Sequence, residues 1–251
     1  MLCLGAGFSP DTKARRDMSE HDRQLARRSF LTRFGVGMTT VGAALGAGAS
    51  TAHAQSGEGG PWQAARHSLD DWFDQLPGKH RFLFDTVAPE GIGQALAFAN
   101  NYFNGNQNGY GLQNGDLAVV LVMRHQSTPF AYNDAIWAKY GVAITQRTSF
   151  NDPSTKQPPK VNIYNSTAYG PALPNRGTTL DSLLKRGVHL AVCQISTRGY
   201  AGAIAAAAGA SADAIYNELV ANLVSNAHIV PAGIVAVNRA QEHGYSFVSV
   251  A

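Results

Sequence analysis

The chain has 251 residues, with 20 Lys/Arg against 17 Asp/Glu and a formal net charge of +3. All of that excess lies in residues 1–54, which hold seven basic and four acidic side chains, so the remaining 197 residues balance at 13 against 13. A neutral remainder gives no electrostatic reason to expect nucleic acid or an anionic membrane as partner, and about 200 residues fit one domain with a substantial core.

The chain opens on an address. Arg27-Arg28-Ser29-Phe30-Leu31 precedes a weakly apolar Gly/Ala-rich run from Phe34 to Ala49, and the small-residue triplet Ala52-His53-Ala54 follows. Basic region, apolar region and A-x-A site stand in the order of an export signal, and the arginine pair resembles the twin-arginine type, which carries folded proteins. A periplasmic product beginning near Gln55 is expected, soluble rather than membrane-spanning. Of the two cysteines, Cys3 leaves with the leader and Cys193 stays, so the product can form no internal disulfide.

Gln55 to Gly60 has linker composition, and a helix is expected around Trp62 to Leu76, closed by Pro77-Gly78. Arg81 to Asp85 reads as a short strand, and Pro89 introduces a helix through Ile92, Ala95, Leu96, Phe98 and Ala99. Asn100 to Gly115, dense in Asn and Gly, reads as a loop. Leu117 to Met123 is apolar throughout, as a central parallel strand buried on both faces should be. Thr128 is placed to cap a helix with Pro129 at its first position and Gly141 just beyond its end.

From Asn151 to Thr179 five of the eleven prolines gather among polar residues, and only Val161 to Tyr164 could pair as a strand. A connection that long is usually a functional covering loop or a disordered insert. Leu180 to Arg186 forms a short helix before Gly187, and Val188 to Cys193 the next buried strand. Ala201 to Ala208 reads as helix, and Ser211 and Asp213 are placed to cap another running to about Leu223. His228 to Pro231 starts a fourth strand, Ile234 to Glu242 a helix closed by Gly244, and Tyr245 to Val250 the final strand. Repeated strand-helix alternation predicts an α/β fold with an open, mostly parallel sheet of about five strands and helices on both faces. Ligands of such sheets sit at the carboxyl ends of the strands.

That rule sorts the candidate residues. His80, His189 and His228 stand at or before strand starts and read as structural, whereas His125 and Cys193 stand at or after strand ends. His189 and Cys193 lie ~13 Å apart along one strand and cannot share a metal. At a strand-to-helix turn, free backbone N–H groups and Arg198 would favour the Cys193 thiolate, the form a nucleophilic sulfur needs. His125 is a candidate base or hydrogen-bond partner for it. The same cysteine also suits the end of a buried strand as a small apolar residue. Asp85 is a candidate acceptor or charge partner in the crevice, and Arg124 and Arg176 are candidates to hold an anionic ligand. No G-x-G-x-x-G, Walker lysine, C-x-x-C-H or paired-cysteine zinc pattern occurs, so no cofactor is called for. A metal held by His125 and Cys193 would need ligands the sequence does not supply.

Gly187-Val188-His189-Leu190-Ala191-Val192-Cys193, taken with Asn238-Arg239-Ala240-Gln241-Glu242-His243-Gly244-Tyr245, resembles the DsrE/DsrF-like family of sulfur-relay proteins. The match runs well over Leu180 to Val250 and loosely over the first two strands. The resemblance implies a flavodoxin-like α/β sandwich, homo-oligomerisation and a persulfide-carrying cysteine, matched here by Cys193. It implies a small sulfur species or a sulfur-carrying protein as partner. The chain departs from the pattern in its export signal, in the segment Trp62 to His80, and in the Asn151 to Thr179 insert. A non-catalytic module that binds a small ligand or protein on the same rim is the alternative.

Overall fold

In the computed structural model, residues 63–250 are described; the expected export signal and cleavage site lie outside them. Five strands, β1 (His80–Thr86), β2 (Leu117–Met123), β3 (His189–Cys193), β4 (Ala227–Val230) and β5 (Ser246–Val250), form one parallel sheet in the order β4-β3-β2-β1-β5. The all-apolar β2 takes the centre, and every one of its residues is buried. A strand covered on both faces has no position where a polar side chain would reach water, which is why its sequence does not alternate.

The helices are α1 (Trp72–Gln75), α2 (Pro89–Tyr110), α3 (Asp134–Thr148), α4 (Leu180–Leu184), α5 (Gln194–Ala208), α6 (Ala212–Ala221) and α7 (Gly233–Glu242). From β1 to β4 each crossover steps one strand in the same direction, so right-handed connections put α2 to α6 on one face. The return from β4 to β5 runs the other way, and α7 covers the opposite face. The core divides accordingly. Val119, Leu121 and Met123 pack with Ile92, Leu96, Ile136, Leu183, Ile204 and Leu219, while Ala118, Val120 and Val122 pack with Phe73, Leu76, Ala236, Val237 and Ala240. The result is a three-layer, flavodoxin-like α/β sandwich; the strand-helix alternation predicts its parallel sheet with helices on both faces.

Several local expectations are corrected. Asn100 to Gly115 is not a loop: α2 continues to Tyr110 and ends on left-handed Gly111, whose N–H reaches back to Gln107 and Asn106. Tertiary contacts override the weak helix propensity there. Phe103 is buried, Arg186 stacks 4.4 Å from its ring centroid, and the same guanidinium donates to Asn100 and Asn104. Thr128 and Pro129 lie inside a 3₁₀ segment, His125–Ala131, and the next helix is capped instead by Asn133, whose side chain accepts from Ala135 and Ile136. Gly141 lies within α3, where a Cβ would collide with the Pro159 carbonyl oxygen; its role is close approach, not termination. The extension before β1 is a 3₁₀ turn at Ser68–Asp70 followed by the single turn α1.

Residues 151–179 contain no strand. Val161 to Tyr164 runs into a 3₁₀ turn, Ile163–Asn165, and the insert is fastened by buried anchors. Asn162 Nδ2 donates to the carbonyls of Phe130 and Tyr132, Tyr164 Oη donates to Pro89 O at 2.7 Å, and Ile163 and Leu173 join the larger core. Its prolines cannot donate to a ladder, so side chains do the fastening. No helix among the described residues is long and apolar enough to cross a membrane.

Candidate functional site

Register and strand alternation place three of the expected residues together. Met123 pairs with Val192, so Arg124 and Cys193 follow side by side at the carboxyl rim, with Cys193 level with Val230. Side chains alternate along a strand, and Phe84 and Met123 face the larger core. Asp85 and Arg124, and likewise Cys193 after Val192, therefore turn to the α7 side of the sheet.

Asp85 and Arg124 pair with each other. The Arg124 Nε and Nη2 donate to the two Asp85 carboxylate oxygens at 2.8 and 2.9 Å, the two-pronged geometry that suits guanidinium and carboxylate. Asp85 is only 3% exposed. These hydrogen bonds hold the Arg124 pKa above the usual arginine value; burial opposes them, and the negative charges of Asp85 and of a Cys193 thiolate add to them. Gly233 opens α7 against the stem of Arg124, where a Cβ would stand 2.5 Å from the Arg124 Cβ. Of the two roles expected for Asp85, the geometry gives that of charge partner, and it commits Arg124 to an internal carboxylate.

Cys193 caps α5. Its Sγ accepts the Ser196 N–H at 3.4 Å, so the sulfur sits over the first turn of a fifteen-residue helix, where unpaired N–H groups favour negative charge. The residue is 6% exposed and is the free cysteine of the described part of the chain. Arg198 is engaged elsewhere: its guanidinium reaches Asp213 at 3.4 Å and lies 4.1 Å from the Tyr216 ring centroid. Arg124, not Arg198, is the cation beside the sulfur. Arg176 lies in the insert and lines a separate pocket with Gln94, Asn101 and Asn175.

Among the described residues His125 makes no hydrogen bond to the Cys193 sulfur. Its backbone has φ 56°, a left-handed conformation that costs a non-glycine residue about 1–2 kcal/mol. The strain is held in place by its N–H, which donates to Ser196 Oγ at 2.9 Å. His125 lines a pocket of about 190 Å³ with Gln126, Arg147, Ser196 and Tyr200, and the backbone N–H of that Ser196 is the one the Cys193 sulfur accepts. Arg147, Ser196 and Tyr200 carry no sequence motif; each sits on a helix at ordinary spacing, and only the packing of α3 on α5 brings them together. The other histidines stay at the far edge as expected, where His189 Nδ1 and His228 Nε2 are 2.9 Å apart. Among the described residues no group of three or more His, Cys, Asp or Glu is placed to hold a metal ion.

No family model matches the chain, and no curated protein matches it. A solved structure similar to it is a protein of unknown function, MTH1491 from Methanobacterium thermoautotrophicum. The two chains are 13% identical, the match covers 68% of this chain and 99% of the other, and the TM-score is 0.35, too low to carry an argument from one to the other.

Proposed function

We propose that this is an exported, DsrE/DsrF-like protein that carries sulfur as a persulfide on Cys193. The observation that supports the reading is the position of the sulfur, at the carboxyl rim, over the first turn of α5 and beside the Arg124 guanidinium. A thiolate there would attack the outer sulfur of a donor persulfide, forming the Cys193 S–S bond while the donor's S–S bond breaks and its thiolate leaves; no external oxidant is needed. The Ser196 N–H and Arg124 are placed to stabilise the anion before and after transfer. Self-association belongs to the same proposal, and the exposed Phe247 and Val248 of edge strand β5 give it a surface. Intact-mass analysis of the protein after exposure to a persulfide donor tests the reading through a gain of about 32 Da, one sulfur atom, that Cys193→Ser abolishes.

A second reading is favoured by the low exposure of Cys193 and by the pocket beside it: a non-catalytic module that binds a small ligand at the rim. It requires saturable binding that does not depend on the sulfur.

A further inference from the structure

The pocket between α3 and α5 has one-sided chemistry. His125, Gln126, Arg147, Ser196 and Tyr200 line it, and no carboxylate does. The Arg147 guanidinium lies 5.1 Å from the Tyr200 ring centroid and close against α5, where a Cβ at Gly199 would meet its Nη2 at 3.0 Å. Among the described residues it pairs with no carboxylate. Ser196 Oγ accepts the His125 N–H, which leaves its own proton to donate.

Tyr200 supplies the independent observation. It is 1% exposed, and its hydroxyl is buried with no acceptor for its proton. Burial pushes the phenol up to about 12, against the charge of Arg147 and a hydrogen bond from its guanidinium, so it is a protonated donor at neutral pH. Arg147 cannot satisfy it, because a guanidinium only donates and the phenolic proton needs an acceptor. Buried hydroxyls are almost always paired, so a phenolic proton with no acceptor, beside a cation, suits an anionic acceptor from outside.

We propose that this pocket binds a small oxyanion of the sulfate or phosphate kind. Arg147 supplies the charge, Tyr200 Oη and Ser196 Oγ donate to the anion, and His125 and Gln126 complete the lining. The proposal deepens the binding reading above by naming its ligand class, and it does not depend on sulfur chemistry at Cys193.

The test is calorimetric titration of the full chain with sodium sulfate, and separately with phosphate, at constant ionic strength held by chloride. The wild type is expected to give saturable one-site binding. Arg147→Gln should weaken it about tenfold or more, the usual effect of losing a charged hydrogen bond. Tyr200→Phe should also weaken binding, yet leave the anion-free protein at least as stable as wild type, because it removes a buried phenolic proton with no acceptor. That second readout keeps the test valid if Arg147→Gln folds poorly. Absence of saturable binding by either anion, or a Tyr200→Phe protein that binds as well as wild type, overturns the proposal. Recording the mass of Cys193 in the same preparation separates the two claims: sulfur on Cys193 without anion binding removes the pocket alone.

Discussion

The rim is held by the Asp85–Arg124 pair, and cutting it from either side should not cost the same. Arg124→Met leaves a carboxylate that is 3% exposed with its counter-ion gone, the case in which losing one member of a buried pair costs about 3–5 kcal/mol. Asp85→Asn leaves a guanidinium whose side chain is 27% exposed and can turn to water, so about 1.5–3 kcal/mol is expected, the range for a charged hydrogen bond. The double variant has no stranded charge. Its cost should fall below the sum of the single costs by about 2 kcal/mol, the coupling expected of residues in direct contact. Urea unfolding at neutral pH, followed by the midpoint at unchanged slope, measures all three. Equal single costs, or costs that add within about 0.5 kcal/mol, would refute the description of the pair as a buried, mutually dependent unit.

Further outcomes follow from other contacts. Burial, with His228 beside it, lowers the His189 pKa from 6.5 to about 4, and burial lowers that of His228 as well. The unfolded chain therefore takes up protons first, and stability should be full above about pH 7 and fall as pH drops from about 6.5 towards 4. The loss should be roughly 1–2 kcal/mol, discounted because the ring is only partly buried. Trp72 stacks on His228 at 4.1 Å, so its fluorescence should follow the same pH window, and His189→Gln should flatten the profile. Gly141→Ala should destabilise by about 1–3 kcal/mol in the same urea assay, because the added methyl meets the Pro159 carbonyl. Replacing Arg27 and Arg28 with lysine should hold the protein in the cytoplasm on cell fractionation if the twin-arginine signal directs it.

Layering was legible from the sequence because two signals agree. The unbroken apolar run of β2 requires cover on both faces, and Gly187 and Gly244 after helical segments mark where two crossovers turn back to the sheet; both have positive φ. The long Asn-rich end of α2 was not legible, since Asn and Gly argue locally for a turn and the contact that overrules them, Arg186 on Phe103, spans more than eighty residues of sequence. At the rim, counting to strand ends sufficed for Asp85, Arg124 and Cys193. It failed for Arg198 because position on a helix fixes a direction only relative to neighbouring helices, and α6 places Asp213 and Tyr216 where they claim its guanidinium. Arg147 and Tyr200 belong to two helices whose relative rotation no local pattern encodes.

The central claim rests on one sulfur atom. Intact-mass analysis of the full chain, before and after exposure to a persulfide donor and again after a thiol reductant, reads it directly. The proposed function predicts a reversible gain of about 32 Da located on Cys193 and absent from Cys193→Ser. A Cys193 that stays at its unmodified mass throughout, in protein that is otherwise folded, would contradict it.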